Sequence, residues 1–201
     1  AKNKGIHNII LLAAPGTNGD EILMTQTRLH SQLQGTPENE IIKMSETNRK
    51  IYDIFTQAKD IEQVKQNLKP IYTELITSQA AAANIPTEEI PNAVDNEINQ
   101  IATPWLHYFI NYKPTDYLSK IKCPVLILNG EKDFQVEPIT NTQGIENALK
   151  NSGNNKYKTI IFPNLNHLFQ TCETGNASEY EEIEETLNPK VLLEISNWLK
   201  L

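Results

Sequence analysis

Two segments in the second half of the chain, Pro124–Leu128 and Tyr157–Phe162, predict two buried β-strands. An unbroken apolar run such as Val125–Leu128 is typical of strands that are covered on both faces in parallel sheets. Between them, the segment Gly144–Lys150 has apolar side chains at helical spacing, and Gly153 supplies a helix stop. The pattern therefore predicts a strand, a helix and a second, parallel strand.

A third apolar run, near the beginning of the sequence, predicts another strand of the same sheet. Asn8–Ala14 contains consecutive aliphatic residues and runs into a turn at Pro15 and Gly16. In a parallel sheet, the loops that follow the carboxyl ends of the strands share one rim, where ligands bind. Pro15 and Gly16 are therefore predicted either to line a pocket on this rim or to form a plain turn.

The segment between the first and second strands shows helical periodicity and no convincing strand pattern. Helices are predicted at Glu21–Leu33 with Asp20 as N-cap, from Pro37 or Glu38 to Ala58, at Ile61–Ala82, at Asn92–Ile101 and at Pro104–Ile110. Pro70 is expected to kink or divide the third of them. A closing helix, Pro189–Leu201, follows Asn188 as N-cap. Its predicted buried face comprises Leu192, Ile195, Trp198 and Leu199.

Two polar side chains follow the two strands of the second half, and their types suggest acid–base chemistry. Asp133 comes after the first of these strands and His167 after the second. The topology places both on one rim, although 34 positions separate them in sequence. A carboxylate that holds an imidazole by its Nδ1–H forms a charge-oriented general base. The alternative is an ordinary surface aspartate and a capping histidine.

At these positions the chain resembles the α/β-hydrolase superfamily of capped serine esterases and peptidase-like hydrolases. The matching segments are Pro124–Asp133 (PVLILNGEKD) and Phe162–Gln170 (FPNLNHLFQ), and Asn8–Gly16 (NIILLAAPG) looks like the strand after the nucleophile elbow. In that family the triad runs serine, acid, histidine along the chain. The resemblance implies that Asp133 is the triad acid and His167 the base. Glu131 is the competing acid.

The resemblance also implies a fold and a domain organisation. The expected fold is a partial α/β-hydrolase sheet of three mostly parallel strands with flanking helices, together with an inserted all-helical cap. Residues 1–19 and 116–201 would form the carboxyl-terminal half of the hydrolase core, and residues 20–115 the cap or lid. In the resembled family such a cap covers the active site and selects substrates.

The nucleophile of this family is a serine on a G-x-S-x-G elbow, and the sequence contains no such motif. The expectation is therefore a carboxyl-terminal part of a serine hydrolase for carboxylic ester or acyl substrates, inactive by itself. It would supply the triad acid and base but lack the nucleophile. The alternative is a non-catalytic α/β-hydrolase-like binding or interaction module.

Three further residues are candidates for substrate binding. Trp105 and Phe109 belong to the densest aromatic cluster, and they either shape an apolar site or attach the cap to the core. Asn166 immediately precedes the predicted catalytic histidine and could position its loop. The expected partner is a small-molecule ester or acyl substrate.

Composition narrows the remaining classes of partner and site. The net charge of −7 argues against nucleic acid, because phosphate binding needs a clustered basic face. The apolar runs are too short for a membrane span. No cofactor or metal is expected, and the acidic segment Glu179–Thr186 is interpreted as a solvated face.

The cysteines Cys123 and Cys172 are interpreted as buried or half-buried small residues. Strand 8–14 would leave an apolar edge through which the chain could form a homo-oligomer. The sequence does not decide in which cellular compartment the protein resides.

Overall fold

A computed structural model describes residues 5–80 and 86–200. Its sheet consists of three parallel strands in the order β1-β2-β3: β1 (Ile9–Leu12), β2 (Val125–Gly130) and β3 (Tyr157–Phe162). Every residue of the central strand β2 is buried, as its unbroken apolar run requires. The parallel sheet with its flanking helices confirms the predicted fold class.

Helix α7 (Pro138–Asn151) connects β2 to β3 and is longer than predicted. It begins with Pro138 at its first turn, and the Glu137 carboxylate accepts hydrogen bonds from the amides of Ile139 and Thr140. At its other end Gly153 has a φ of 80°, the left-handed conformation that glycine tolerates after a helix. With Glu137 as its N-cap, the helix begins more than one turn before Gly144, where it was predicted to start.

The sheet is covered on both faces by apolar side chains. On one face Leu126 and Leu128 of β2 pack with residues of the loop after β3 and with the closing helix α8 (Pro189–Leu199). On the other face Val125 and Ile127 pack against α7. The alternation of β2 side chains between two apolar layers accounts for the burial of the whole strand.

The buried face of α8 differs from the prediction. The Asn188 side chain caps the helix by accepting a hydrogen bond from the Lys190 amide, as expected. Val191 is fully buried and Ile195 and Trp198 pack beside it. Leu192 and Leu199 are instead 54% and 59% exposed. Residue 201, the predicted end of this helix, lies outside the described residues.

Between β1 and β2, the residues that the structure describes form further helices. They are α1 (Gly19–Leu33), α2 (Glu38–Gln57), α3 (Ile61–Ala80), α4 (Ile90–Ile101), α5 (Pro104–Ile110) and α6 (Thr115–Leu118). Asn18, not Asp20, is the N-cap residue of α1, and Asp20 lies in its first turn. Pro70 is contained within α3 and does not divide it. The predicted end of that helix at residue 82 lies outside the described residues.

The chain divides into two compact units. One contains the residues up to Ile41 and those from Lys113 onward, and therefore the whole sheet; the other is Ile42–Tyr112. The second unit has its own interior, in which Phe55, Val64 and Leu68 are fully buried. Helices α3 and α4 pack against each other within it. The role of this helical unit as a lid stays a prediction.

Candidate functional site

Asp133 lies in a tight loop directly after β2. Its Oδ1 atom accepts hydrogen bonds from the backbone amides of Gln135 (2.9 Å) and Val136 (2.8 Å). Its own amide donates to the carbonyl of Gly130 at 3.2 Å. The residue is 1% exposed. The bonds to Oδ1 fix the orientation of the carboxylate and leave its Oδ2 atom for another partner.

That partner is His167, in the loop after β3. The His167 Nδ1 atom lies 2.9 Å from Asp133 Oδ2. The imidazole side chain is 25% exposed, whereas the carboxylate is completely buried. A carboxylate oxygen can only accept, so this contact assigns a proton to Nδ1; in a neutral imidazole of this kind, Nε2 has a lone pair that can take a proton from another group. The structure thus brings together the two residues that the sequence analysis paired.

Asn166 stabilises the loop that presents His167. Its side chain is fully buried; Oδ1 accepts from the amides of Leu168 and Gln170, and Nδ2 donates to the Gln170 side chain, each at 2.9 Å. All of these bonds lie within one loop. They support the loop-positioning role suggested for Asn166, while its contact with substrate stays a prediction.

The loops after β2 and β3 interlock. The Lys132 amide donates to the Leu165 carbonyl at 2.9 Å. A Cβ atom on Gly130 would lie 2.3 Å from that carbonyl oxygen, so only glycine allows this approach. The Glu131 carboxylate accepts from the Asn164 amide at 3.0 Å. Glu131 therefore holds the histidine loop, and Asp133 is the acid that faces His167.

The Pro15-Gly16 turn is attached to helix α7. The Asn141 Oδ1 atom accepts from the amides of Gly16 (2.9 Å) and Thr17 (3.2 Å) and from the Thr17 hydroxyl (3.1 Å). A Cβ atom on Gly16 would lie 1.9 Å from the Asn141 carbonyl oxygen. Gly16 is buried against this helix and Pro15 is half-buried. The predicted role of both residues in a pocket stays a prediction.

Trp105 and Phe109 lie on α5, in the helical unit. Their rings stack with centroids 5.2 Å apart and planes inclined by 5°. Trp105 is 66% exposed, so its indole face is available for contact. Binding of substrate by this pair stays a prediction.

The acidic segment contains contacts that the sequence analysis missed. Glu179 accepts hydrogen bonds from the amide and hydroxyl of Thr174 and from the Gly175 amide, and Glu185 accepts from the Thr171 amide. The hydrogen bond from the Thr174 side chain is the main cause that lowers the pKa of Glu179. These hydrogen bonds are exposed to solvent, so they are compatible with the solvated-face interpretation, and they fold the segment after His167.

Tyr180 was also missed, and it lies beside the acid and histidine loops. Its hydroxyl accepts a hydrogen bond from Gln135 Nε2 at 3.1 Å. Burial is the main cause that raises the pKa of this phenol, and the Asp133 carboxylate raises it further. The sequence offered no signal for this contact, because the tyrosine is 45 positions from its glutamine partner.

A cavity of about 400 Å³ is lined in part by Phe134 and Gln135, the two residues that follow Asp133, but not by Asp133 or His167 themselves. It falls within the size range of small-molecule sites. Its wall combines aromatic and aliphatic side chains with neutral amides and one histidine. The lining residues are Gln26, Thr27, His30, Leu33, Phe134, Gln135, Gly175, Asn176, Ala177 and Tyr180.

Other site types find little support in the part of the chain that the structure describes. Residues 5–80 and 86–200 contain no group of three or more metal-ligating side chains of the His, Cys, Asp or Glu type. Within the same ranges, none of the helices has both the length and the apolar character needed to cross a bilayer. Cys123 is half-buried and Cys172 is buried, and both are free thiols.

The residues that carry Asp133 and His167 lie within a segment that matches a known protein family. Residues 52–188, roughly two thirds of the chain, match the prolyl oligopeptidase family. The acylamino-acid-releasing enzyme of Arabidopsis thaliana is 42% identical over 73 residues, which are 36% of this chain and 9% of that enzyme. The chain thus aligns with less than a tenth of the length of this relative. No solved structure matches the chain significantly.

Proposed function

We propose that this chain, which belongs to the prolyl oligopeptidase family of α/β-hydrolases, supplies the acid and base of a serine hydrolase acting on acyl substrates. Membership of a serine hydrolase family is shown by the match over residues 52–188 and confirms the resemblance seen in the sequence. The substrate bond and the source of the nucleophile are the proposed part. The observation that carries the proposal is the 2.9 Å contact between His167 Nδ1 and Asp133 Oδ2.

The proposed chemistry follows from this contact. Because Asp133 holds the proton on Nδ1, His167 Nε2 would take the proton of a serine hydroxyl as that oxygen attacks an acyl carbonyl. The protonated imidazole would then donate to the leaving group. The buried carboxylate would stabilise the imidazolium and orient the ring throughout.

The nucleophile is proposed to come from polypeptide outside this sequence. No G-x-S-x-G elbow occurs in the chain, and in this fold the elbow precedes the strand that β1 resembles. Oxyanion donors would come from the same region. The catalytic site would therefore be completed by an amino-terminal half.

The substrate is proposed to be a small, partly apolar acyl compound or ester. The cavity that Phe134 and Gln135 line supports this, because these two residues directly follow the acid in sequence. Its mixture of apolar side chains and neutral amides suits a neutral group better than a charged one. The stacked Trp105 and Phe109 are further proposed substrate-binding residues, because they offer an apolar aromatic surface.

A fluorophosphonate that reacts with activated serines tests the proposal. We would compare this chain with a version extended by about 150 residues of upstream coding sequence, a rough allowance for a complete domain, using intact mass. Labelling of the extended form alone, abolished by His167→Ala, is the expected result. A matched control is His7→Ala, which changes a histidine remote from the pair and should preserve labelling.

The alternative is a non-catalytic binding or interaction module that retains the acid and the histidine. The absence of an elbow from the sequence is the observation that favours it. Failure of both forms to react, or a start codon immediately before residue 1, would support this alternative. Labelling of the short chain would instead reveal a nucleophile within it.

A further inference from the structure

His167 lies in a hairpin formed by residues 164–172, the histidine hairpin. Its two arms meet at an antiparallel bridge between Leu165 and Thr171. Phe169, two residues beyond the histidine, is buried and has a φ of 59°. A bulky residue rarely adopts this left-handed conformation, which persists only where surrounding contacts hold it. The direction of the imidazole therefore depends on contacts that hold the hairpin from outside.

The acid loop, residues 131–136, contacts the first arm of this hairpin through two consecutive residues. The Glu131 carboxylate accepts a hydrogen bond from the Asn164 amide at 3.0 Å. The Lys132 amide donates to the Leu165 carbonyl at 2.9 Å. Together these two contacts fix the arm that leads into the histidine.

The Lys132 side chain reaches the second arm. Its Nζ atom donates to the carbonyls of Glu173 (2.5 Å) and Cys172 (3.5 Å). An ammonium has three donors, and hydrogen bonds from a charged donor are stronger than neutral ones. The Lys132 backbone also packs against this segment, because a Cβ atom on Gly175 would lie 2.2 Å from the Lys132 carbonyl oxygen. One residue thus holds the first arm by its amide and the end of the second arm by its ammonium.

We propose that Lys132 is a positioning residue that keeps the Nδ1–H of His167 directed at Asp133 Oδ2, because it holds both arms of the histidine hairpin on the acid loop. The inference rests on the proposed function, in which this orientation provides the general base. The hydrogen-bond partners of the Lys132 side chain are backbone carbonyls. It therefore acts through the hairpin and not on the reacting atoms.

The geometry of the acid explains why the hairpin has to be held. The amides of Gln135 and Val136 fix Asp133 Oδ1 within the acid loop, whereas His167 belongs to the hairpin. The 2.9 Å contact between Nδ1 and Oδ2 therefore depends on the position of the hairpin relative to the acid loop. A shift of about 0.5 Å would lengthen this contact beyond the usual range of a hydrogen bond. Release of the second arm would permit such a shift and expose the Nδ1 proton to water.

Exchange of the His167 Nδ1 proton with water tests this role. It can be measured by ¹H–¹⁵N NMR on the 201-residue chain at about pH 8, where an ordinary imidazole is neutral. Wild type is expected to show a protected Nδ1–H. Lys132→Met keeps an unbranched side chain but removes its donors, so exchange should accelerate about threefold or more and the ratio of Nδ1–H to Nε2–H tautomers should fall. Lys132→Arg restores a charged donor and should exchange like wild type.

The matched control is Lys158→Met. Lys158 Nζ lies 2.9 Å from a Glu194 carboxylate oxygen, and it belongs to the amino end of β3, the end opposite to the site. The same substitution there also removes a charged donor from its partner, but it should leave the exchange rate intact. The amide spectrum of β2 serves as a check that each variant is folded. If Lys132→Met does not fold, Lys132→Gln, whose side chain is shorter by one bond, gives the same readout with a smaller acceleration.

The outcomes separate this inference from the proposed function. An unchanged exchange rate in the folded Lys132→Met or Lys132→Gln variant would overturn the positioning role, even if fluorophosphonate labelling of the extended form still required His167. An equal acceleration in Lys132→Arg or Lys158→Met would also overturn it, because the effect would not depend on the donor at this position. Acceleration limited to the variants without the ammonium or guanidinium at position 132, together with labelling that does not require His167, would support the positioning role and overturn the proposed function. Wild type without the Nδ1–H tautomer would overturn both.

Discussion

Substitution of Asn141 by alanine should destabilise the unit that contains the sheet. Asn141 is 3% exposed, and its Oδ1 atom accepts three hydrogen bonds from the turn after β1. Alanine would leave the buried Gly16 amide and the partly buried Thr17 amide without their acceptor. Each unpaired donor costs about 1–3 kcal/mol, the lower part of that range applying to the partly buried one.

A small gain opposes this loss. Alanine is the better helix former, by roughly 0.7 kcal/mol over asparagine. The expected net decrease in the free energy of unfolding is therefore about 2–3 kcal/mol, a large part of the stability of an ordinary domain. The exposed Asn147 lies on the same helix, so Asn147→Ala isolates the helix-propensity term and should be neutral or slightly stabilising.

Urea unfolding followed by tryptophan fluorescence can measure the difference. The chain has two tryptophans; Trp198 packs beside the sheet core and Trp105 belongs to the helical unit. A Trp105→Phe background would leave Trp198 as the reporter of the sheet-containing unit. Equal denaturant slopes are required for the comparison. A difference below about 0.5 kcal/mol between Asn141→Ala and Asn147→Ala would refute the reasoning, since it would mean that both turn amides find other partners.

Three further predictions concern charge, thiol reactivity and association. The pKa of Glu179 is lowered from its ordinary 4.5, chiefly by the Thr174 hydroxyl, so its stabilising effect is present above pH 4.5 and lost as the pH falls through the lower folded value. Glu179→Gln should therefore flatten the acid limb of a stability–pH curve measured by urea unfolding, and an unchanged limb would contradict this. Burial raises the pKa of the Cys172 thiol. At pH 8, iodoacetamide should therefore modify this thiol more slowly in the native chain than in urea, as followed by peptide mass. Equal rates would be inconsistent with a buried thiol. We also propose that strand 8–14 mediates homo-oligomer formation. Leu12 is 47% exposed, and Leu12→Lys should reduce the mass measured by light scattering at micromolar concentration. The control Leu193→Lys, at a position 59% exposed on α8, should not reduce this mass. A wild-type monomer under those conditions would exclude the association.

Much of the sheet could be predicted because its signal is local. The apolar run Val125–Leu128 specifies a buried strand by itself. Strand β3 has the predicted bounds, but only Phe162 of it is buried and Lys158 is exposed. The parallel arrangement then places the residues after each strand on one rim. Asp133 and His167 could therefore be paired from sequence, since each follows a strand that was recognisable.

Contacts between segments that are far apart in sequence could not be predicted in the same way. Asn141 and Gly16 are 125 positions apart, and no periodic pattern links them. The α8 face shows a related limit: Val191, Ile195 and Trp198 share helical spacing, but so do Leu192, Ile195 and Leu199. Two apolar stripes compete on such a helix, and only packing against the sheet selects one of them.

The order of the strands also has a consequence for how the chain folds. β2, α7 and β3 are consecutive, so they can associate through short loops, whereas Ile9 of β1 must find Val125 across more than a hundred residues. Closing a loop of that length costs roughly 4 kcal/mol of chain entropy. Strand β1 is therefore expected to dock late, after a nucleus of β2, α7 and β3 has formed. Until it docks, one edge of the central strand stays open to whichever strand arrives first.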